Sequence, residues 1–257
     1  MSEKYIADNF PKGYEYLKEN EEFLRGRERG RMNIEGWFLY IYPKSLNAFE
    51  QEKIITPDIS LGTNMTYDNG KFYHGTTLYS FVKNNIVKED YKYWLCLLSS
   101  SIMWFFIKNT GTELRGGYFR FKTNYLTPFP LPKLKNINEQ QPFIEKADKM
   151  LELNKRLQEK KTKFTNRVKD NFEIEKTSKK LDAFYDFDFK TFVAELKKQK
   201  IKLSLIQQDE WEEYFTAYKT EINNLQSQIN QTDKEIDQMV YKLYELTEEE
   251  ILIIENS

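Results

Sequence analysis

The chain has 257 residues, with 39 Lys and Arg against 40 Asp and Glu, one His and one Cys. This length allows one large domain or two domains of ordinary size. Because the net charge of the whole chain is close to zero, it does not indicate the kind of partner that the chain binds. A single cysteine excludes an intrachain disulfide framework and indicates a reducing compartment. Because no signal peptide opens the chain and no apolar stretch reaches membrane-spanning length, we expect a cytoplasmic protein without membrane contact.

Charge, glycine and proline divide the chain near residue 135. Residues 1–135 hold 19 Lys and Arg against 15 Asp and Glu, a net charge of +4, whereas residues 136–257 hold 20 against 25, a net charge of −5. All ten glycines lie at or before Gly117, and all seven prolines lie at or before Pro142. Since glycine and proline make turns and interrupt helices, we predict a globular domain over 1–135 and a helical region over 136–257.

The first predicted elements are a helix and two strands, with a basic segment between them. Apolar positions at helical spacing predict a helix over 14–24 that ends at Gly26. Residues 25–31 then contain four arginines and two glycines. Residues 37–42 and 53–56 are rich in aromatic and β-branched side chains, and a proline follows each run. These two runs predict short strands.

The rest of this half predicts a hairpin, further strands and a core helix. Asn69-Gly70 lies between 64–67 and 71–73, and predicts a β-hairpin because Asn-Gly supplies the positive φ angles of a tight turn. The next predicted elements are a strand, a helix, a loop and a strand, at 79–82, 90–107, 109–117 and 118–122. Cys96 lies in the apolar run of this helix, which predicts a buried structural thiol. The mixture predicts an α+β domain.

The last third of the chain has the strongest periodicity. Eleven positions follow one another at intervals of four and three, namely Trp211, Phe215, Tyr218, Ile222, Leu225, Ile229, Thr232, Ile236, Met239, Leu243 and Leu246. This pattern predicts a coiled-coil seam. A helix over about 138–170 shares the rhythm, although Asn154 and Lys161 interrupt it, and 181–206 predicts a shorter helix at a turnaround. We therefore predict an antiparallel helical coiled-coil spacer, followed by a short helix that a capping box opens at Thr247.

The sequence contains no motif of catalytic chemistry. It has no glycine-rich cofactor loop, no phosphate-binding loop, no cysteine–histidine metal cluster and no Asn-Pro-Pro-aromatic signature of methyltransferases. Pro57-Asp58 with Asp90-Tyr91-Lys92 resembles a nuclease pairing, but such matches arise often in a chain with 31% charged residues. We therefore predict no catalytic residue, no metal site and no cofactor in this chain.

Two basic segments instead predict nucleic-acid binding. Residues 25–31 and 115–122 combine positive charge with glycine, and the second segment adds aromatic rings. Guanidinium groups can clamp phosphates or form two hydrogen bonds with a guanine edge, and loop residues around 64–77 are candidate base readers. The predicted contacts are Arg25, Arg27, Arg29, Arg31, Asn64, Tyr73, His74, Arg115, Tyr118, Arg120 and Lys122. A solvated charged loop is the alternative interpretation of each segment.

The order of several motifs resembles a TaqI-like specificity domain, as found at the C-terminus of type IIG restriction–modification enzymes. The motifs lie, in chain order, at 10–17, 24–27, Trp37, 53–60, the leucine-rich run 95–100 and the proline-spaced exit 125–132. Residues 138–144 resemble the start of the spacer helix in type I specificity subunits. Residues 233–251 resemble the closing helix common in these proteins.

The resemblance implies that the chain recognises a sequence in double-stranded DNA. It would direct a methyltransferase or endonuclease to that site, with the helical spacer setting the distance. The domains that bind S-adenosylmethionine and Mg precede this region in the family and are missing here, so the chain is not expected to be an enzyme by itself. The first strands of the domain are also missing, which predicts a fragment or a short natural protein with an incomplete domain.

A scaffold protein is the alternative function. Such a protein would recruit partners, or a second copy of itself as a homodimer, through the seam between Trp211 and Leu246 without binding DNA. The near-zero net charge of the whole chain favours this alternative, because DNA-binding domains are often strongly basic. Packing within the chain would also account for the seam.

Overall fold

A computed structural model describes residues 2–43 and 46–257. The chain forms two compact units, with the boundary between Glu50 and Gln51. The predicted α+β class is confirmed, since small antiparallel sheets are combined with a long helical C-terminal stretch. The assignment of different functions to 1–135 and 136–257 does not follow from this packing and stays a prediction.

The first unit begins with three helices. They are α1 Glu3–Asn9, α2 Pro11–Glu19 and α3 Glu21–Gly30. The single helix predicted over 14–24 is divided at Asn20, which ends α2 and precedes α3. Helical geometry in α3 is lost at Arg27, so the predicted helix end near Gly26 is confirmed.

The strand predicted over 37–42 is wrong, because these residues form turns. A strand needs the donors of a neighbouring strand to satisfy its carbonyl groups. Here the guanidinium group of Arg27 supplies them, donating to the carbonyl oxygens of Trp37 and Leu39 at 2.6 and 2.9 Å. The Trp37 ring is buried and Tyr40 is exposed, so the aromatic composition reflects one anchoring ring and not a buried strand.

The second unit contains two three-stranded antiparallel sheets. In chain order the strands are β1 Glu52–Pro57, β2 Ile59–Ser60, β3 Thr66–Asn69, β4 Leu78–Phe81, β5 Glu113–Leu114 and β6 Tyr118–Arg120. The first sheet has the order β3-β1-β4 and the second has the order β2-β6-β5. The strands predicted at 53–56, 79–82 and 118–122 are therefore confirmed, with shifted ends.

The hairpin predicted around Asn69-Gly70 is wrong. β3 pairs with β1, with Ile54 opposite Tyr67, and residues 71–77 form no strand. The Asp68 carboxylate accepts hydrogen bonds from the backbone N–H groups of Lys71 and Phe72 at 3.1 and 3.2 Å. These bonds turn the chain away from the sheet after Gly70. The positive φ of Gly70 therefore belongs to the turn in which the chain leaves β3, and not to a hairpin turn.

The chain changes from one sheet to the other at Asp58. β1 ends at Pro57 and β2 begins at Ile59. The backbone N–H of Asp58 donates to the Thr77 carbonyl at 2.8 Å, and its carbonyl accepts from the Phe121 N–H at 2.7 Å. Asp58 is therefore a corner that fixes the second sheet against the first.

The helices of the second unit cover both sheets and form the C-terminal arm. They are α4 Tyr91–Ser99, α5 Ser101–Thr110, α6 Thr123–Leu126, α7 Gln141–Phe172, α8 Lys179–Asp182, α9 Phe189–Lys198, α10 Leu205–Leu243 and α11 Glu248–Glu255. The single helix predicted over 90–107 is two helices, because Ser100 is extended and its hydroxyl caps α5. The capping box at Thr247 is confirmed.

The predicted antiparallel helix pair is α7 with α10. Lys146 pairs with Glu235, whereas Lys160, farther along α7, pairs with Glu221, farther back along α10. The sequence pattern placed Asn154 on the side of α7 that faces α10. In the structure Asn154 is exposed and the neighbouring Leu153 is buried instead, so the α7 seam is less interrupted than predicted. The classification of this pair as a coiled coil stays a prediction.

The two helices of the arm enter the same core as the sheets. Phe143 and Ala147 of α7 and Val240 and Tyr241 of α10 lie in one buried cluster with α4, α5 and Phe121. The predicted buried thiol is confirmed: burial raises the pKa of Cys96 to about 12, and its Sγ lies 3.4 Å from the Phe143 carbonyl oxygen. A second cluster closes the far end of the arm at the predicted turnaround, where Phe184, just after α8, and Phe192 of α9 pack their rings against Phe164.

A buried ion pair joins β1 to β3 and yields the first prediction. Lys53 and Asp68 lie opposite each other, with side chains 0% and 1% exposed. Lys53→Met should lower the free energy of unfolding by about 3–5 kcal/mol, because it leaves the Asp68 carboxylate buried without its cation. Urea unfolding would measure this change.

The matched control for this prediction is Lys53→Met combined with Asp68→Asn. The neutral amide still accepts the N–H groups of residues 71 and 72, so the double variant should recover part of the loss. Burial opposes ionisation of Asp68, but Lys53 and the two N–H groups outweigh it and lower its pKa. The parent should therefore lose stability relative to Asp68→Asn as pH falls through that lowered pKa. A double variant no more stable than the single one would contradict this account.

The contact between α5 and α10 yields a prediction with the opposite pH dependence, in which stability falls as pH rises. Ser101 donates its N–H and hydroxyl to the Asp237 carboxylate at 2.8 and 2.6 Å, yet burial dominates and raises the pKa of Asp237. A raised carboxyl pKa means stability that is present at low pH and lost as pH rises through the folded-state value. In urea unfolding, the parent should lose stability relative to Asp237→Asn as pH rises through the folded-state pKa of Asp237. The control Glu210→Gln, at an exposed position, should lose stability with rising pH as the parent does. Parallel curves for the parent and Asp237→Asn would contradict it.

Candidate nucleic-acid interface

The second sheet presents one face to solvent. β6 alternates, with Phe119 buried and packed on Trp104 of α5, and Tyr118 and Arg120 on the opposite side. Ile59 lies opposite Arg120 in the neighbouring strand and is also exposed, as is Leu61. We give the name sheet face to the exposed residues Ile59, Leu61 and Tyr118 together with the half-buried Arg120.

Arg120 is oriented by the corner residue Asp58. Its Nη1 lies 3.4 Å from Asp58 Oδ2, and the arginine side chain is 33% exposed. A guanidinium group has five N–H donors, and this long contact uses one of them. Within the described residues, the other carboxylate oxygen of Asp58 has no hydrogen-bond partner. The arrangement holds the guanidinium group at the surface with donors left for an anion or a base edge.

Arg115 lies at the tip of the β5–β6 turn. Gly116 and Gly117 follow it with φ angles of +89° and +78°, which favour glycine strongly. A Cβ on Gly117 would lie 3.7 Å from Leu61, so the tip stands beside the sheet face. Arg115 is exposed and makes no ion pair with any described residue.

Lys122 and Asn64 lie at the edges of this surface. Lys122 follows β6 and precedes α6, with a half-buried side chain. The Asn64 amide donates to Ser60 Oγ at 2.7 Å and to the Leu61 carbonyl at 3.2 Å, which closes the loop after β2. The structure thus brings together Asn64, Arg115, Tyr118, Arg120 and Lys122 of the predicted contacts.

The other predicted contacts of this unit lie in the loop before β4. Tyr73 is 64% exposed. His74 has both ring nitrogens in contact with its own loop and strand, Nδ1 at 3.0 Å from the Gly75 carbonyl and Nε2 at 2.6 Å from Ser80 Oγ. A base contact by His74 would have to replace one of these hydrogen bonds.

The four arginines of 25–31 lie in the first unit, and three of them have partners there. Arg25 contacts Glu21, and its guanidinium lies 5.3 Å from the Trp37 ring centre. Arg27 holds three carbonyl groups, and Arg31 donates to the Tyr42 hydroxyl at 3.2 Å. Arg29 is exposed, at a positive φ of 60°, without a partner among the described residues.

Other chemistry finds little support in the described residues. Within 2–43 and 46–257, no three His, Cys, Asp or Glu side chains are close enough to hold a metal ion. Asp90, half of the nuclease-like match, caps α4 by accepting the Lys92 N–H at 2.7 Å. No described helix is both long and apolar enough to cross a membrane.

Three residues of the interface escaped the sequence analysis. Ile59 and Leu61 are apolar, and their exposure follows from register opposite β6, which sequence alone does not give. Asp58 was considered as part of a chance nuclease match and of the 53–60 motif, but not as a residue that orients Arg120. For the basic side of the surface a further signal was present, since residues 101–135 contain six Lys and Arg and one Glu.

The contrast between Arg27 and Arg29 yields a prediction about 25–31. Arg27→Ala should remove roughly 1–3 kcal/mol from the stability of the first unit, because carbonyl groups of Leu24, Trp37 and Leu39 lose their donor. Hydrogen exchange over 31–43 should then accelerate. Arg29→Ala removes the same charge at an exposed position and should leave exchange unchanged. Equal protection in both variants would mean that Arg27 does not hold this segment.

Two protein-family models match the chain, one after the other along the sequence. The model of the TaqI-like C-terminal specificity domain matches residues 13–131. A second model, described as a domain of unknown function (DUF8810), matches residues 136–240.

Curated relatives match about half of the chain. Type II methyltransferase M.BstVI of Geobacillus stearothermophilus is 29% identical over 137 residues, covering 52% of this chain and 23% of the relative. Type II methyltransferase M.XhoI of Xanthomonas vasicola is 30% identical over 132 residues, covering 50% and 23%. The chain thus spans less than a quarter of the length of these relatives. The family match includes the sheet face and the corner at Asp58, and residues 13–131 are similar to the TaqI-like C-terminal specificity domain.

Proposed function

We propose that this chain is the sequence-recognition portion of a DNA restriction–modification system. The observation that carries the proposal is the coincidence of two features on the same residues. The specificity-domain match covers 13–131, and within it the sheet face joins Arg120 and Tyr118 with the glycine tip at Arg115. Arginine beside exposed aromatic and apolar side chains suits both phosphate contact and base-edge contact.

The geometry supports different roles for different residues of the interface, some contacting phosphates and others contacting bases. Lys122 and Arg115 form no ion pair among the described residues, and their charge is suited to phosphates, which fix orientation without reading sequence. Arg120 contacts Asp58 through one nitrogen, and its remaining donors are suited to the two acceptors on a guanine edge. Ile59 and Leu61 are suited to contact a thymine methyl group.

The catalytic steps would belong to other domains or subunits. By analogy with the type II methyltransferases it resembles, the chain would direct methyl transfer, and in a type IIG arrangement also cleavage, at its target site. Binding of S-adenosylmethionine and Mg would take place in those catalytic parts. The arm formed by α7 and α10 would set their distance from the DNA. A homodimer through the arm and a cytoplasmic location belong to the same proposal.

The direct test is binding to duplex DNA followed by sequencing. Fluorescence anisotropy with pooled random duplexes at low and moderate salt should show binding that weakens as salt rises. Sequencing of the retained DNA should show an enriched short motif. Absence of binding at low salt, together with concentration-dependent self-association, would favour the scaffold and overturn the proposal.

The site assignment yields its own prediction. Arg120→Ala with Lys122→Ala should weaken binding to every duplex and lower the salt slope of log K by about 0.9, since Lys122 is the phosphate contact of this pair. If Arg120 reads guanine, preference among sequences should also fall by about 1–3 kcal/mol at one position. Anisotropy titrations across salt concentrations measure both effects.

The control variant carries the same change in charge. Lys133→Ala with Lys135→Ala removes two exposed cations that lie just beyond the matched domain. It should leave the sequence preference and most of the affinity intact. Equal affinity of the Arg120/Lys122 variant and the parent for all DNA would show that the sheet face is not the interface.

A further inference from the structure

Charge is separated between the two long helices of the arm. Residues 149–169 of α7 contain eight Lys and Arg against two Glu. α10 contains eight Asp and Glu against three Lys. The net charge of −5 over 136–257 hides this separation, because the acidic helix cancels the basic one.

The basic residues of α7 form a line along one side of the helix. Intervals of seven, four, three and four residues place Lys149, Arg156, Lys160, Lys163 and Arg167 on one face, which we call the α7 ridge. At 1.5 Å per residue the ridge is about 27 Å long. Its members are exposed, except Lys160, which is half-buried.

The ridge keeps most of its charge free. Lys160 pairs with Glu221 of α10, but Lys149, Arg156 and Lys163 form no ion pair with any residue in the described ranges. Glu152 and Glu159 lie three or four residues from members of the ridge and so neighbour them on the helix surface, but neither carboxylate forms an ion pair with a ridge cation among the described residues. The ridge therefore carries five cations beside these two carboxylates.

The first turns of α7 are fixed to the specificity domain. Phe143 and Ala147 are buried in the core shared with α4, and Lys92 of α4 pairs with Asp148 at 2.7 Å. The ridge begins at Lys149, directly after this anchored turn. It therefore belongs to the same compact unit as the sheet face and cannot swing freely with respect to it.

We propose that the α7 ridge binds the phosphate backbone of duplex DNA without reading its sequence. Lys and Arg side chains offer only hydrogen-bond donors, which match the acceptor-only oxygens of phosphates. A ridge of about 27 Å corresponds to about eight phosphates of one strand at 3.4 Å spacing. Because the duplex curves away from a straight helix, two or three of these phosphates are in reach at once.

The acidic helix of a second copy is the competing occupant, and the chain itself argues against it. Glu221 and Glu235 of α10 are already paired with Lys160 and Lys146 of the same chain. A dimer built on this charge match around Glu221 and Glu235 would have to break or share these pairs. Sedimentation of the ridge variant tests a dimer built on the other acidic residues of α10. This second contact surface goes beyond the proposed function, because it does not depend on base recognition by the sheet face.

The test compares a ridge variant with the parent on duplexes of two lengths. The variant is Lys149→Gln, Arg156→Gln and Lys163→Gln, three exposed residues whose loss leaves the pairs of α7 with α10 intact. The short duplex carries the enriched sequence alone, or one fixed sequence of the same length if no motif is enriched. The long duplex adds about ten base pairs on each side, more than the ridge can span. The parent should bind the long duplex more tightly, and the variant should lose this gain, roughly tenfold at low salt, with a salt slope lower by about 2–3.

The matched control removes the same charge from the far end of the arm. Lys190→Gln, Lys197→Gln and Lys202→Gln change three exposed lysines outside α7. This variant should keep the length dependence. An equal loss in both variants, or an unchanged long-duplex affinity in the ridge variant, overturns the proposal. The proposal is also overturned if the ridge substitutions change only self-association, measured by sedimentation, and leave DNA binding unchanged.

The outcomes also separate the ridge from the sheet face. Length-dependent binding that needs the ridge, without an enriched motif, would leave the ridge standing and overturn sequence recognition. An enriched motif on the short duplex, with no effect of the ridge variant, would do the reverse. A parent that binds neither duplex at low salt overturns both.

Discussion

The arm and the two sheets of the second unit share one hydrophobic core, and the rest of this unit depends on that shared burial. Val240 and Tyr241 of α10 and Phe143 of α7 fill space beneath α4 and α5 that the small sheets leave open. Two sheets of three short strands cannot bury enough apolar surface to be stable by themselves. The long helices are therefore part of the folded domain and not an appendage to it.

This constraint reaches the sheet face through α5. Trp104 packs its ring against Phe119 and Phe121, at ring-centre distances of 5.4 and 6.3 Å, and so fixes the inner side of β6. With that side buried, alternation along the strand places Arg120 outside, where Asp58 holds it. Shared burial thus connects the position of one guanidinium group to the position of the arm.

Prediction from sequence succeeded where the signal is local and failed where it depends on a neighbour. The capping box at Thr247 and the break near Gly26 need only adjacent residues, and both are present. The strand at 37–42 failed because a distant arginine satisfies its carbonyl groups, and the hairpin failed because Asp68 binds the N–H groups of the next residues. At the candidate site, positive charge near 115–122 was predictable, whereas the exposed Ile59 was not.

The sequence by itself determined the class of elements, the helical C-terminal stretch and the resemblance to a specificity domain, because spacing, glycine and proline act over a few residues. Only the tertiary structure decided which charges are free. Arg27 is committed to carbonyl groups, Arg120 is held by one carboxylate, and Arg156 has no ion-pair partner among the described residues. These arginines look equivalent in the sequence. They differ because a charge is neutralised by groups that folding brings within a few ångströms, and that proximity is a property of packing and not of order along the chain.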